Sequence, residues 1–528
     1  MVDQSMNPVL QQDGSEMISN SMDFSSLLPV GDRIFSVTQF ESRPGGMYLS
    51  ELEQDETTGE LTSIATRPID FSGVDGLWVP CAGSVTPWNT HLGSEEYPRD
   101  GRTWESLDDA DSLSVISAAD GGYTVPMFRY YGIDIYTDAD SDTNIDATVG
   151  DVRAVYNPYM HGYATEVAVD AAGDYEVTKH YAMGRMALEL AYVMPDQRTV
   201  YLTDDGTNVG LFMFVADEPG DLSSGRLYAM KWNQVSTING GRADIEWIPL
   251  DTGSVDAGLV DDAIHDDDVQ FSDMFEVEDP TGTGDCPGGF TAVMRTSLSG
   301  RTECLRVRAG MQDLASRLET TRMAAYLGAT TELRKEEGIT YDFENETLYL
   351  AMSAVERGMT DGHSNDAMGP NHVRLPENEC GVVYALPTGN DGAIGSRYVA
   401  KRFIGVVAGM PIDSDPDNSC SLDGIASPDN VTFMDGHGIL IIGEDTGSGH
   451  QNDVIWAYDV YEGSLTRIQT TPYGSETTSP YWYPNINGFA YLKSVIQHPF
   501  GESDSDMLMS PDEARAYDGY VGPFPAIE

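Results

Sequence analysis

The stretch Thr199-Val-Tyr-Leu-Thr-Asp-Asp-Gly206 follows a tight turn, Pro195-Asp-Gln-Arg198, and joins an apolar triplet to an acidic end. Val, Tyr, Leu and Thr suit a pleated surface, and Asp-Asp-Gly closes a strand with turn chemistry. The same unit recurs at Asn345-Glu-Thr-Leu-Tyr-Leu-Ala-Met352 and at His437-Gly-Ile-Leu-Ile-Ile-Gly-Glu-Asp445. Its matching positions, Tyr201, Tyr349 and Ile441, lie at near multiples of about 46 to 50 residues, one blade of a β-propeller. The fold class read from this stretch is all-β, a ring of repeated blades with small helical and loop insertions.

The chain has 528 residues, 40% of them hydrophobic, which is ample for a large core and too long for one ordinary compact unit. A ring of blades is one of the few ways to use about 450 residues as one body. The 54 glycines, 27 tyrosines and many Asx-Gly turns fit such a chain. With 86 acidic against 29 basic residues the net charge is −57, which repels nucleic acid and anionic lipid, keeps the surface hydrated at high salt and suits divalent cations. An anionic substrate would need bound cations to invert that field locally. No run of 18 apolar residues is present, so no transmembrane helix is expected, and no charged-then-apolar leader opens the sequence.

Of five cysteines, Cys286 with Cys304 and Cys380 with Cys420 are close in sequence and would staple long loops, leaving Cys81 apart. Four thiols allow three connectivities. The expected pairing implies an oxidising compartment and hence export.

Along the chain, residues 1–28 are rich in Gln, Ser, Asp and Met without a period and read as a tail or loose edge segment. Residues 33–41 and 46–52 alternate as strands do. A polar insertion over 97–120 precedes a tyrosine-rich strand candidate, Met127 to Tyr136. Asp138 to Asp146 lacks the glycine and terminal glutamate of a helix-loop-helix calcium site and reads as a solvated acidic loop. Residues 251–285 read as a long acidic surface loop, and Gln312 to Leu327 as a helix beside the ring. Residues from about Met507 return to helix-like composition before a Pro-rich tail.

The chemistry centres on Cys81-Ala-Gly-Ser-Val-Thr-Pro-Trp-Asn-Thr-His-Leu-Gly-Ser-Glu-Glu96. Thiolate suits a transition metal, while carboxylates also suit calcium. Neighbours on a strand point opposite ways, so Glu95 and Glu96 serve one site only if the backbone turns there. Glu189 is a lone carboxylate in the apolar run Met186 to Tyr192, costly unless paired or metal-bound, or else on an exposed strand face. Asp204-Asp205 faces an axial pocket or makes a turn. Arg334 offers a planar fork for phosphate and Glu336 a ligand, unless Arg334-Lys-Glu-Glu337 is a solvated charge cluster. Asp429 is a turn-former or a calcium ligand, Glu444-Asp445 carries the same ambiguity, and His498 reaches the pocket or caps its strand. No serine-nucleophile elbow, phosphate-cradling glycine loop or paired zinc histidines appear.

In order, Cys81-Ala-Gly…Thr86-Pro-Trp88…Glu95-Glu96, Gly184-Arg185…Glu189, Tyr201…Asp204-Asp205, Arg334…Glu336, Ser427-Pro-Asp-Asn430 and Ile496-Gln-His-Pro499 resemble the PhoX-type alkaline phosphatases over roughly residues 30 to 500. The resemblance implies a six-bladed β-propeller, residues 29–528 as one catalytic domain, and a secreted or periplasmic phosphoric monoester hydrolase. It implies two ferric ions with two or three calcium ions. Carried over by position, Cys81, Glu95, Glu189 and Glu336 are iron ligands, Glu96, Asp205, Asp429 and Glu444 calcium ligands, and Arg334 and Trp88 contact the phosphate. Leu188 stands where the family has His, Lys335 where it has Pro, and Trp88-Asn-Thr-His91 where close relatives have Trp-Gly-Thr-Trp. The expected reaction is hydrolysis of small phosphate esters by a metal-held oxygen, without a side-chain nucleophile, in a monomer. A non-catalytic, calcium-stabilised extracellular propeller is the alternative, and a calcium-dependent propeller lactonase or phosphotriesterase a third.

Overall fold

The computed structural model describes residues 1–528 except 140, 142–143, 282–284, 294–295, 297–299, 367–369, 502–507, 509 and 528. Among the described residues β-structure dominates, arranged as six antiparallel meanders in chain order. The first comprises Met22–Val30, Arg33–Phe40, Gly46–Gln54 and Leu61–Pro68, and the second Gly83–Val85, His91–Gly93, Thr165–Val169 and Tyr175–Lys179. Leu188–Val193, Thr199–Asp204, Phe212–Glu218 and Asp221–Ser236 form the third, and Glu336–Asp342, Thr347–Met352, Val382–Asp391 and Arg402–Ala408 the fourth. The fifth runs Pro428–Met434, Ile439–Glu444, Val454–Asp459 and Ser464–Thr470, and the sixth Glu476–Ile486, Phe489–Gln497 and Tyr517–Pro525. Arg242–Pro249 pairs with Asp221–Ser236 on one side and Arg402–Ala408 on the other, fusing the third and fourth into one 11-stranded sheet.

The opening strands of the six meanders touch in a closed cycle. Met22–Val30 packs on Gly83–Val85, then follow Leu188–Val193, Glu336–Asp342, Pro428–Met434 and Glu476–Ile486, which returns to Met22–Val30. The inner strands of the meanders are buried on both faces, which is why they carry consecutive apolar residues instead of strict alternation. Val200 and Leu202 enter the core shared with the second meander, and Tyr201 between them enters the core shared with the fourth. Leu348 and Leu350 face the third meander while Tyr349 faces the fifth. Leu440 and Ile442 face the fourth while Ile441 faces the sixth. Leu27 and Leu28 split in the same way between the sixth and second meanders. The apolar triplet is thus the signature of a strand sandwiched between two neighbours.

Two insertions depart from the sequence expectations. Between the second and third strands of the second meander lie the helices Gly101–Glu105, Ser114–Asp120, Val125–Tyr131 and Val149–Arg153, wrapped around Trp104, Ile116, Phe128, Val152 and Tyr156. The tyrosine-rich segment from Met127 to Tyr136 is not a strand: its first half lies in the third of these, a 3-10 helix. Pro126 favours its first turn, and burial on several sides replaces two-faced alternation. Residues 251–285 are not one loop either: Asp256 caps Ala257–His265, whose Val260, Ala263 and Ile264 are buried, and Phe271–Met274 follows. The acids there occupy a cap, solvent-facing positions and, at Asp251, a buried ion pair with Arg317. Gln312 to Leu327 is helical as expected, broken at Glu319 into Gln312–Leu318 and Thr320–Leu327.

Met22–Val30 begins inside the segment 1–28, and Phe24, Leu27 and Leu28 are buried. At the other end, Tyr517–Pro525 is an edge strand on Phe489–Gln497, where its prolines cost no ladder bond. Met507 lies outside the described residues, as do residues 140, 142 and 143 of the acidic run 138–146. The disulfides are Cys286–Cys304 and Cys380–Cys420, and Cys81 is a free, buried thiol. No helix among the described residues is long and apolar enough to cross a membrane.

Candidate metal centre

Each opening strand carries an acid or thiol at, or within two residues of, its start: Asp23, Cys81, Glu189, Glu337, Asp429 and Glu476. Because these strands form a ring, the six side chains converge on one end of its axis. All but Asp23 line a cavity of about 350 Å³. Asp23 joins through Cys81, whose Sγ lies 3.4 Å from Asp23 Oδ2 and 3.4 Å from Glu189 Oε1. The second strands run the opposite way and end at the same rim. Glu41, Glu96, Asp205, Asp445 and His498 follow the ends of five of them and line the cavity. Ser353, after the sixth such strand, donates to Glu337 Oε1 at 2.6 Å.

Three groups of potential ligand atoms lie within 4.8 Å of one another: Asp23, Glu41 and Cys81; Cys81, Glu96 and Glu189; Glu189, Glu337 and Asp429. The groups share Cys81 and Glu189, so they form one chain of adjacent sites. Burial, then mutual repulsion, pushes the carboxyls of Asp23, Glu96, Glu189, Asp429 and Glu476 well above the usual carboxylate range. Burial with the neighbouring Asp205 takes Glu337 up to about 7. Burial, then the charge of Glu189, pushes the Cys81 thiol up as well. Asp205 Oδ1 is buried without a hydrogen-bond partner, while Oδ2 accepts from Tyr97. Such groups cannot all ionise together unless cations sit among them, and a thiolate with several carboxylates is a donor set for transition metal and calcium together.

Two positive side chains also line the cavity, Lys335 and Arg43. Burial opposes the Lys335 charge, but Glu337 and Asp205 hold its pKa well above the usual lysine value. Its Nζ lies 3.2 Å from Glu337 Oε1 and 3.6 Å from Asp445 Oδ2. Three lining residues hold left-handed backbone: Lys335 at φ 48°, Tyr97 at 46° and His498 at 32°. Non-glycine residues adopt that region at a cost, and such strain gathers at functional sites.

Of the residues singled out from sequence, Cys81, Glu96, Glu189, Asp205, Asp429 and His498 line the cavity. Asp204 does not, accepting from Ala187 N and Thr321 Oγ1, and neither do five others. Glu95 lies behind it, accepting from Trp78 N, His161 Nδ1, Lys179 Nζ and the backbone N–H groups of Gly162 and Tyr163. Glu336 is fully buried, and neither carboxylate oxygen has a hydrogen-bond partner. Glu444 accepts from Ala426 N, Val454 N, His450 and Trp456 Nε1. Arg334 donates to Glu356 and to the Gly206 carbonyl, and Trp88 Nε1 donates to Glu166 at 2.6 Å. In three cases the sequence neighbour faces the cavity instead: Glu337 for Glu336, Asp445 for Glu444, Lys335 for Arg334. For Arg334 to Glu337 the left-handed turn at Lys335 and the irregular register between Glu336 and Ile339 set that parity, and Asp445 lies just past the end of its strand. Asp23 and Glu476 were not anticipated; their signal is an acid opening an apolar strand.

A ring of antiparallel meanders with a thiol–carboxylate centre at one end of its axis defines a protein built to gather cations. The family model described as alkaline phosphatase PhoX matches residues 58–499, and the chain belongs to that family. Pseudomonas fluorescens PhoX, solved in complex with vanadate, a transition state analogue, shares 18% identity and a TM-score of 0.57 with this chain. The match covers 97% of this chain and 92% of that one. The periplasmic gluconolactonase PpgL of Pseudomonas aeruginosa matches more loosely, at 11% identity and a TM-score of 0.31, over 88% of this chain and 92% of that one. No curated protein sequence matches the chain.

Proposed function

We propose that the protein is an exported, metal-dependent phosphomonoesterase acting on small phosphate esters, and that its six meanders are the blades of a β-propeller. The closed cycle of opening strands supports the propeller. The observation that carries the function is the convergence of Cys81 with the opening-strand carboxylates on one buried cavity, in a chain of the PhoX alkaline phosphatase family. Cys81, Asp23, Glu96, Glu189, Glu337 and Asp429 hold the cations, with Asp205, Asp445 and Glu476 completing the shell. The soft sulfur suits a transition metal, iron in what the family resemblance implies, and the all-oxygen part calcium. Bound cations would supply Lewis-acid neutralisation of phosphoryl oxygens and an activated water.

The chain's own groups do the rest. Lys335 reaches the cavity between Glu337 and Asp445 and takes the phosphate-holding place that the family pattern gives to Arg334. Tyr97 orients Asp205 through its hydroxyl. Tyr97 and Tyr123 line the cavity, whose volume of about 350 Å³ suits small esters. The two disulfides support an oxidising location outside the cytosol.

The test is metal analysis of the native protein beside p-nitrophenyl phosphate hydrolysis. Iron with calcium, and activity lost on chelation and restored on reconstitution, is the expected result. Full turnover after exhaustive metal removal refutes it, and calcium alone without turnover favours the non-catalytic propeller.

A further inference from the structure

The two positive groups of the cavity are placed differently. Lys335 is paired with carboxylates, whereas Arg43 leaves Nε and Nη2 buried without a hydrogen-bond partner, although Glu41 and Glu96 are close enough to act on its charge. Its guanidinium lies over the ring of Tyr123, with Cζ 3.0 Å from the ring centroid. Tyr123 belongs to the inserted helical segment and stands on a braced turn. Asp120 accepts the backbone N–H groups of Gly122, Tyr123 and Thr124 and pairs with Arg99 at 3.0 Å. The Tyr97 ring meets Tyr123 edge-on at 6.4 Å.

A buried N–H without an acceptor is costly, and a planar fork matches two oxygens of a tetrahedral anion. An aromatic face under the guanidinium fixes its plane while Nε and Nη2 keep no acceptor. We propose that Arg43 is a phosphate-holding fork of this site and that Tyr123 is the positioning residue that keeps the fork open to the ligand. The proposal rests on the phosphatase function above. The fork grips non-bridging oxygens that substrate and product share, so it acts on affinity for both more than on turnover.

The experiment uses the cation-loaded full chain, with p-nitrophenyl phosphate as substrate and inorganic phosphate as inhibitor. Arg43→Ala raises KM and the phosphate inhibition constant together, about tenfold to a hundredfold, with kcat within a few-fold. Arg43→Lys does not restore them, because an ammonium lacks the flat fork. Tyr123→Leu raises both about threefold to tenfold, and Tyr123→Phe, which keeps the ring, does not. An active Arg43→Ala protein with unchanged KM and inhibition constant overturns the fork; should that variant not fold, Arg43→Gln carries the same expectation. Equal losses in Tyr123→Phe and Tyr123→Leu overturn the positioning role. A wild-type protein that hydrolyses no phosphate monoester overturns the phosphatase function itself, a result distinct from either.

Discussion

At Glu95-Glu96 two adjacent carboxylates live in opposite environments. Burial works against the charge of Glu95, but Lys179, His161 and backbone N–H groups hold its carboxyl below the usual range. Glu96 is pushed well above the usual range by burial, then by Asp205 and Glu189. Glu95→Gln therefore strands Lys179 and His161 and is expected to cost about 3–5 kcal/mol in denaturant unfolding. Glu96→Gln removes a repelling charge, so the metal-free protein keeps or gains stability at neutral pH while metal content and activity fall. Equal destabilisation by both would contradict the assignment. The Arg334-Lys335 pair yields the companion prediction. Lys335→Ala lowers kcat/KM about a hundredfold, as loss of a charge-assisted contact does, and Arg334→Ala changes it only a few-fold.

At the scale of the strand, site geometry depends on how closely neighbouring opening strands approach. Gly338 in Glu336–Asp342 faces Pro428–Met434, and a Cβ there would lie 2.8 Å from Asn430 Cα, 2.8 Å from Val431 N and 3.0 Å from the Asp429 carbonyl. Backbone has to move, and Asp429 moves with it. Gly338→Ala is expected to cost about 1–3 kcal/mol and to lower metal content and turnover. Gly253→Ala, with nothing within 4 Å, is the control. The strands themselves were legible: triplets such as Val200-Tyr201-Leu202 announce an element buried on both faces, and Glu189 announces a carboxylate with a purpose. Which member of Glu336-Glu337 or Arg334-Lys335 faces the axis was not legible, because one left-handed residue at Lys335 reverses the alternation on which such a choice rests, and Asp445 faces it from just past the end of its strand. Asp23 stayed hidden because its segment looks like a tail until the ring closes on it.

Across the whole molecule, the net charge of −57 makes the convergence of carboxylates on one cavity a problem that protons or bound cations must solve. This fixes the sign of the pH dependence. Glu337 titrates at about 7 in the folded protein against an ordinary 4.5, so its contribution is fully present below about pH 4.5 and is lost as pH rises through 7. That one shift corresponds to about 3 kcal/mol. Asp23, Glu96, Glu189, Asp429 and Glu476 are displaced in the same direction, whereas carboxyls held low, such as Glu95, Asp100 and Glu166, change stability only as pH falls below their ordinary range and so outside pH 5 to 8. The chelated protein should therefore lose thermal stability steadily from pH 5 to 8. Cations compete with protons for these oxygens and bind only the folded ring, so the loaded protein should hold its Tm over that range, and the gap between the two forms should widen with pH. Calorimetric scans of both forms across the range measure it. A chelated protein as stable at pH 8 as at pH 5 would mean that these carboxylates do not share one cavity, and the assignment of the site would fall with them.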